Sequence, residues 1–235
     1  MSTRYSASSS EQAALSSGAG CLYGFLLPPL AVVGVCALLM IFVLSPTTPV
    51  IPAGIPPIQA AEIRTNGPLL PVSPVFTPEV QSWTGRIQVW AGAAGLDPNL
   101  VATVMQIESC GDPLALSRAG AMGLFQVMPY HFTASDDPYA PDTNALRGLD
   151  YLKRSLEMAS GDPRLALAGY NGGIGVIDWS ESGWPAETQR YAYWGSGIYA
   201  EASSGASESL RLQNWLTASG VSLCRQAHER LGINP

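Results

Sequence analysis

The stretch VATVMQIESCGD, at residues 101–112, places one carboxyl group at the end of an otherwise apolar stripe. Val101, Val104, Met105 and Glu108 stand at i, i+3, i+4 and i+7, so a helix would carry them on one face. Burial on such a face and the negative end of the helix dipole both disfavour an ionised carboxyl. The pattern therefore predicts a raised pKa for Glu108, which suits a general acid near neutral pH. A solvated glutamate at the end of a surface helix is the alternative interpretation, and the spacing alone does not separate the two.

Further polar residues occur in three short segments that follow Glu108-Ser109. These segments are GLFQVMP at 123–129, GYNGG at 169–173 and PAETQRY at 185–191. In this order and at these spacings, they resemble the catalytic domain of the soluble lytic transglycosylases in the lysozyme superfamily. The resemblance covers roughly residues 80–200. Phe125 stands where that family usually has methionine, and Cys110 stands where glycine is common, but neither departure removes a functional group.

The resemblance implies a mostly α fold, lysozyme-like within an α+β superfamily and with minimal strand content. It also implies an enzyme that cleaves peptidoglycan, with Glu108 as the catalytic acid and base. The residues that it implies for the sugar cleft are Ser109, Gln126, Tyr170 and Asn171, with Tyr191 beside Glu108 to help hold it. Capping of a helix end is the alternative use of Ser109, and core packing is that of Tyr191.

The expected chemistry depends on whether a second carboxylate is present, because glycoside hydrolysis usually needs two. Asp112 and the loop residues Asp136, Asp137 and Asp142 are the candidates, and with one of them the chain would be a muramidase. Without a second carboxylate, the 6-hydroxyl of muramic acid can close on its own anomeric carbon, with help from the N-acetyl group. Glu108 would then act first as acid and afterwards as base, leaving a 1,6-anhydro end. A module that binds the wall without catalysis is the alternative from another class.

The elements that must position these residues are predicted to be helices. Thr77-Pro78-Glu79 reads as a helix start, with a run that continues to Gly95, and Asp97-Pro98 starts a second helix that carries Glu108. Further helices are predicted to begin at Asp142, at Asp162-Pro163 and at Ala186, followed by two or three turns between Ser207 and Leu231. No segment shows a convincing strand alternation.

The N-terminal third of the sequence differs sharply in composition. Residues 22–44 contain no charged side chain and are long enough for one bilayer crossing. With Arg4 before the span and no further Lys or Arg until Arg64, we expect a short cytoplasmic tail at 1–21 and an extracytoplasmic remainder. A cleaved signal peptide is the rival interpretation. We expect a proline-rich linker at 45–76, a catalytic domain at 77–203 and a helical extension at 204–235.

Charge and cysteine usage limit the ligands. The net charge of −6 argues against nucleic-acid binding, which favours basic patches. With two histidines and no CxxC pair, we predict no metal site and no cofactor. Cys110 and Cys224 could form a disulfide in an oxidising compartment, although spacing alone does not decide this. The expected partners are peptidoglycan strands and, through the N-terminal helix, the cell membrane.

Overall fold

A computed structural model describes residues 71–233 of the chain. The predicted cytoplasmic tail, the predicted membrane span at 22–44 and the linker as far as residue 70 lie outside the described residues. Within 71–233, no helix combines the length and the apolar character that a bilayer crossing requires. Val72 and Phe76, which the predicted boundary leaves in the linker, are buried in the hydrophobic core.

The described residues fold into α-helices joined by turns and short 3-10 segments. In chain order the helices are α1 (Pro78–Gln81), α2 (Thr84–Ala94), α3 (Pro98–Glu108), α4 (Pro141–Met158), α5 (Pro163–Gly172), α6 (Ala186–Ser203), α7 (Leu210–Trp215) and α8 (Val221–Leu231). A π-helical turn, Leu216–Gly220, joins α7 to α8. The 3-10 segments are Pro129–His131, Ile174–Asp178 and Glu181–Gly183. No strand forms between residues 71 and 233, so the mostly α prediction is confirmed for this part of the chain.

Helix α3 is the central element of the core. Every residue from Leu100 to Gln106 is buried, and α3 packs against both α2 and α6. The sequence predicts one apolar face, whereas the structure buries the helix on all sides. Glu108 is thus the last residue of a core helix, which is a stronger cause of desolvation than a single apolar face.

Two helix starts follow the local sequence signal closely. The Asp97 carboxylate accepts a hydrogen bond from the backbone N–H of Asn99, and the Asp162 carboxylate accepts from the N–H groups of Arg164 and Leu165. In both cases proline occupies the first helical position, where no amide donor is needed. The predicted starts of α3 and α5 are therefore confirmed.

The first and last predicted helices differ from expectation. The run from Thr77 to Gly95 is two helices, because the Ser82 hydroxyl donates to the Glu79 carbonyl at 2.6 Å and the Thr84 hydroxyl donates to the Gln81 carbonyl at 2.8 Å. Such side-chain bonds compete with the helical hydrogen-bond pattern. At the other end, helical structure extends without a break from Leu210 to Leu231, which is longer than the predicted two or three turns.

The segment between α3 and α4 carries the GLFQVMP motif in a compact loop. Two isolated antiparallel bridges, Leu116 to Met122 and Met122 to Val127, hold it together. Gly123 has a φ of +75°, and a Cβ there would lie 2.4 Å from the Asn144 side chain, so only glycine fits. The Asn144 side chain in turn accepts from the Phe125 N–H at 2.9 Å and donates to the Met122 carbonyl at 2.7 Å. The loop is therefore anchored on α4.

Candidate active site

One open cleft gathers most of the predicted site residues. It encloses a volume of about 610 Å³. Its lining includes Glu108, Gln126, Tyr170 and Asn171, which come from α3, the GLFQVMP loop and α5. The other two predicted residues, Ser109 and Tyr191, are buried and are not part of the lining. The structure thus brings four of the six residues to one surface and leaves two behind it.

The Glu108 carboxyl lies partly buried at the cleft floor, and its pKa is raised to about 8. Burial is the largest cause, and the negative charge of Glu187 adds to it. An interaction with the Tyr191 hydroxyl acts in the opposite direction and lowers the pKa. The carboxyl therefore stays protonated at neutral pH, as the sequence pattern predicts.

Two tyrosines enclose Glu108. The Tyr191 side chain is buried, and its hydroxyl lies close enough to Glu108 to affect the carboxyl, while no other group among the described residues bonds to this hydroxyl. The Tyr170 hydroxyl donates to the Phe125 carbonyl at 2.7 Å. Burial, followed by the nearby Glu108 charge, raises the pKa of both phenols well above the usual value. Both phenols are therefore neutral, and because the Tyr170 O–H is bonded to Phe125, the Tyr191 O–H is the donor available to the carboxyl.

Gln126 reaches the cleft from a strained backbone position. Its φ of 46° lies in the left-handed region, which residues other than glycine seldom occupy. Its amide Nε2 donates to the carbonyls of Gly123 at 3.0 Å and Ala115 at 3.3 Å. These bonds fix the side chain and leave its carbonyl oxygen as an acceptor. Strain of this kind persists where the surrounding structure holds it and is often found at functional sites.

Asn171 and Ser109 are held by different partners. The Asn171 side-chain oxygen accepts from the Thr188 hydroxyl at 2.9 Å, which orients the amide group at the cleft wall. The Ser109 hydroxyl donates to the Leu124 carbonyl at 2.7 Å and accepts from the Gly111 N–H at 3.1 Å. Ser109 therefore joins the end of α3 to the GLFQVMP loop from behind the cleft.

Glu187 is a cleft residue that the sequence reasoning did not assign. It is exposed in the first turn of α6, it lines the cleft, and its charge raises the pKa of Glu108. The available signal was its place in PAETQRY, four residues before Tyr191. A charge 79 positions away from Glu108 in sequence has no local pattern that reports its proximity in space.

Aromatic rings form a continuous row along one wall of the cleft. Tyr130 and His131 have ring centroids 4.5 Å apart, His131 and Tyr151 are 4.8 Å apart, and Tyr151 and Tyr170 are 5.8 Å apart. All four side chains line the cleft, and Tyr130 at its outer end is 75% exposed. Burial lowers the pKa of His131, with the Arg154 charge as the next cause. The row presents flat apolar faces of the kind on which sugar rings stack.

The aspartates that the sequence offered as a second carboxylate lie elsewhere. Asp112 is fully buried and pairs with Arg230 at 2.8 Å. Asp136 pairs with Arg147 at 2.8 Å, and Asp142 accepts from the Trp90 indole N–H at 2.9 Å. None of these aspartates, nor Asp137, lines the cleft. Within residues 71–233, Glu187 is the carboxylate that shares the cleft with Glu108.

One cluster has the residue types of a metal site. Glu79, Cys110 and Cys224 place their ligand atoms within 4.8 Å of one another. The two sulfurs, however, form a disulfide, which settles the pairing that the sequence left open. Sulfur atoms in a disulfide are not thiolates and do not serve as metal ligands, so the donor set does not fit a metal ion.

Comparison with known proteins agrees with this geometry. Residues 85–190 match the family model of the transglycosylase SLT domain. A protein named transglycosylase from Enterobacteria phage PRD1 is 39% identical over 118 residues, which cover 46% of this chain and 42% of that protein. Two proteins from Klebsiella pneumoniae, each named endo-type membrane-bound lytic murein transglycosylase A, are 42% identical over 66 residues, covering 28% of this chain and 31% of each relative.

The chain therefore spans less than half the length of these relatives. The family match nevertheless contains Glu108, the GLFQVMP loop, Tyr170, Asn171 and Glu187. Residues 85–190 of the chain are accordingly a lysozyme-like domain of the transglycosylase SLT family.

Proposed function

We propose that the chain is a peptidoglycan lytic transglycosylase that cleaves the β-1,4 bond between N-acetylmuramic acid and N-acetylglucosamine. The observation that carries this proposal is a carboxyl whose pKa is about 8, held in a cleft whose lining includes the Gln126 and Asn171 amides and a row of aromatic rings. Such a carboxyl holds a proton at neutral pH and can transfer it to a leaving oxygen.

The reaction begins with the transfer of the Glu108 proton to the glycosidic oxygen as the bond to the anomeric carbon breaks. The N-acetyl group of the muramic acid assists departure of the leaving sugar. The 6-hydroxyl oxygen of that muramic acid then bonds to its own anomeric carbon, and its proton passes to the Glu108 carboxylate. Glu108 ends the cycle protonated, no water is consumed, and the product carries a 1,6-anhydro end.

The surrounding residues supply binding and orientation. Gln126 and Asn171 each offer polar groups to the sugar chain while their remaining atoms are bonded to the protein. Tyr170 borders the reacting carboxyl and presents its ring to the cleft. Ser109 and Tyr191 act from behind the cleft, the first by holding the end of α3 against the loop and the second by stabilising the ionised form of Glu108.

A muramidase is the second candidate, and Glu187 is the observation that favours it. A second carboxylate in the same cleft could activate water in place of the 6-hydroxyl. Digestion of purified sacculi by the full chain, followed by mass spectrometry, separates the two reactions because their products differ by one water. Anhydromuramic ends are the expected product. If every muramic acid end is reducing, the enzyme is a hydrolase and the lytic transglycosylase proposal fails.

We also propose that the catalytic domain works outside the cytoplasmic membrane, anchored by residues 22–44. The uncharged run at 22–44 and the buried Cys110–Cys224 disulfide support this location, since disulfides form in oxidising compartments. Two of the relatives are themselves named membrane-bound. Cell fractionation and protease accessibility of the full chain test it. Recovery of the protein in the soluble cytoplasmic fraction, with both cysteines reduced, would contradict it.

A further inference from the structure

Helix α8 lies outside the family match at 85–190, yet it contacts the residues that directly follow Glu108. We propose that α8 is a positioning element for the catalytic carboxyl, acting through Cys224 and Arg230 on the turn at residues 109–112. This inference rests on the proposed function of Glu108. It assigns to the C-terminal extension a role in catalysis and not only in stability.

Three side chains of α8 hold the 109–112 turn. Cys224 forms the disulfide with Cys110, with Cα atoms 5.0 Å apart. The Arg230 guanidinium donates to both Asp112 carboxylate oxygens, at 3.1 and 2.8 Å, and the Gln226 amide donates to the same group at 2.8 Å. A fully buried carboxylate with three such bonds is fixed in place, because release from α8 would leave a buried charge without its cationic partner.

The turn itself has a backbone that needs such support. Cys110 has a φ of 52° and Gly111 a φ of 83°, so two consecutive residues adopt the left-handed conformation. A Cβ at Gly111 would lie 2.9 Å from the Glu79 carbonyl oxygen, which shows how closely the turn packs against α1. A cysteine in the left-handed region is strained, and strain persists only where the surroundings impose it. The disulfide on Cys110 is one such constraint.

The turn is continuous with the last turn of α3. The Ser109 N–H donates to the Met105 carbonyl at 3.1 Å, and the Cys110 N–H donates to the Gln106 carbonyl at 3.2 Å. These bonds close the helical turn that contains Glu108. If the 109–112 turn relaxes, this last turn loosens, and the Glu108 carboxyl gains access to water. The predicted signature is therefore a fall in the Glu108 pKa, since burial is the main cause of its elevation.

A separate contact keeps α8 against the start of the domain. The His228 imidazole bonds to the buried Glu79 carboxylate at 2.9 Å. Helix α1 and α8 pack together over this contact. The outer face of α8 carries exposed residues such as Arg225, which makes no hydrogen bond or ion pair within residues 71–233. Arg225→Gln therefore changes the charge of α8 without touching the turn, and it is the matched control.

The disulfide makes this arrangement sensitive to reductant. A dithiol that reduces the bond delivers two electrons and two protons, becomes a disulfide itself and leaves Cys110 and Cys224 as two thiols. The ion pair of Arg230 with Asp112 survives this reaction. Reduction should therefore loosen the turn in part, whereas loss of both the disulfide and the ion pair should loosen it fully.

The experiment compares the full-length chain, Cys224→Ser, Arg230→Gln and Arg225→Gln. For Cys224→Ser we expect a fall in kcat of about tenfold with KM changed less than twofold, because misplacement of a reacting group affects the chemical step. The alkaline limb of the pH–rate profile should move to lower pH. Reductant should reproduce both effects in the native protein and have no further effect on Cys224→Ser. Arg225→Gln should match the native protein throughout.

Several results would overturn the proposal. One is a folded Cys224→Ser, checked by circular dichroism, whose kcat and pH limb equal those of the native protein. Another is equal inactivation of the native protein and Cys224→Ser by reductant. If Cys224→Ser does not fold, Arg230→Gln, which keeps the disulfide, decides by the same two readouts.

A direct titration separates this inference from the proposed function. Carboxyl NMR follows the Glu108 pKa in the oxidised and reduced protein without any turnover, with Tyr170, Tyr191 and Glu187 as the titratable groups that face it. A lower pKa on reduction supports the positioning role even if no anhydro product is found. An unchanged pKa in an active enzyme contradicts the positioning role alone.

Discussion

Two carboxyl groups lie four residues apart at the end of α3, and the protein treats them in opposite ways. Glu108 faces the cleft without a cationic partner, and its pKa is raised to about 8. Asp112 faces α8, is fully buried and is bonded to Arg230 and Gln226. Burial by itself therefore does not identify a chemical role. A buried carboxylate with a guanidinium partner holds structure, whereas a carboxyl that is buried without one keeps a proton available for transfer.

The largest expected effect separates these two roles by activity. Glu108→Gln should lower the rate of glycan cleavage by about a thousandfold, because the amide cannot donate and recover a proton. The folded structure should remain, since the amide has the same shape. Clearing of a peptidoglycan zymogram and product counting by mass spectrometry measure the loss. Native activity in this variant would show that Glu108 is not the catalytic acid, whereas no clearing by the native protein would favour a module that binds the wall without catalysis.

The same substitution should change the pH dependence of stability in a defined direction. The folded state binds the Glu108 proton more tightly than the unfolded state does, with a pKa of about 8 against an ordinary 4.5. The contribution to the free energy of unfolding is therefore complete below pH 4.5 and is lost as the pH rises through about 8. Glu108→Gln should consequently melt at a higher temperature than the native protein at pH 9, with a smaller difference at pH 5. Equal melting curves at both pH values would contradict a buried, proton-binding Glu108.

Loss of the ion pair between Arg230 and Asp112 should lower the stability of the protein at neutral pH. Arg230→Gln leaves the buried Asp112 carboxylate without its charge partner and should lower the free energy of unfolding by about 3 kcal/mol. Asp112→Asn should cost less, because Arg230 is 39% exposed and can be solvated when it loses its partner. Chemical denaturation of the two variants beside the native protein measures the difference. A larger loss for Asp112→Asn would contradict this assignment.

Several helix starts and most of the cleft residues could be predicted from the sequence. Local signals sufficed for the starts of α3 and α5, because an aspartate cap and a following proline act within one helical turn. The apolar stripe made Glu108 a candidate, and the order of the accompanying motifs favoured it over a solvated glutamate. The motif order then placed Gln126, Tyr170 and Asn171 near it, and all three line the cleft.

Long-range contacts had no comparable signal. Asp112 meets Arg230 across 118 positions and Cys110 meets Cys224 across 114, and neither separation is encoded in a local period. Local spacing also has limits. Leu146 stands three residues before the buried Leu149, a spacing that favours a shared face, but Leu146 is 63% exposed because a three-residue step falls about 60° short of a full helical turn.

Substitutions of two neighbours of Glu108 should shift its pKa in opposite directions. Tyr191→Phe removes the interaction that lowers the Glu108 pKa, so the alkaline limb of the pH–rate profile should move to higher pH. Glu187→Gln removes a negative charge that raises the pKa, so the limb should move to lower pH. Rate profiles measured on soluble peptidoglycan fragments at constant ionic strength give both shifts. Movement of both limbs in the same direction would mean that Glu108 does not control the limb.

Glu187→Gln also bears on the choice of reaction. In a lytic transglycosylase, the variant should still release anhydro ends, because Glu187 acts on Glu108 only through its charge. In a muramidase that uses Glu187 to activate water, the same variant should lose nearly all activity. The product distribution of this single variant therefore distinguishes a neighbouring charge from a second catalytic carboxylate.

The smallest expected effect concerns the outer end of the aromatic row. Tyr130 lines the cleft, is 75% exposed and contacts His131 with its ring tilted by 48°, so it can meet a sugar ring distant from the cleaved bond. Tyr130→Ala should raise KM for glycan strands about threefold to tenfold, as expected for loss of one aromatic contact, and leave kcat and the pH limb unchanged. Trp179 is exposed to 55% and does not line the cleft, so Trp179→Ala is the matched control and should leave KM unchanged. An equal rise in KM for both variants would mean that exposed aromatics contribute non-specifically. A fall in kcat for Tyr130→Ala would instead place Tyr130 close to the reacting carboxyl. The aromatic row would then take part in the chemical step at Glu108 and not only in glycan binding.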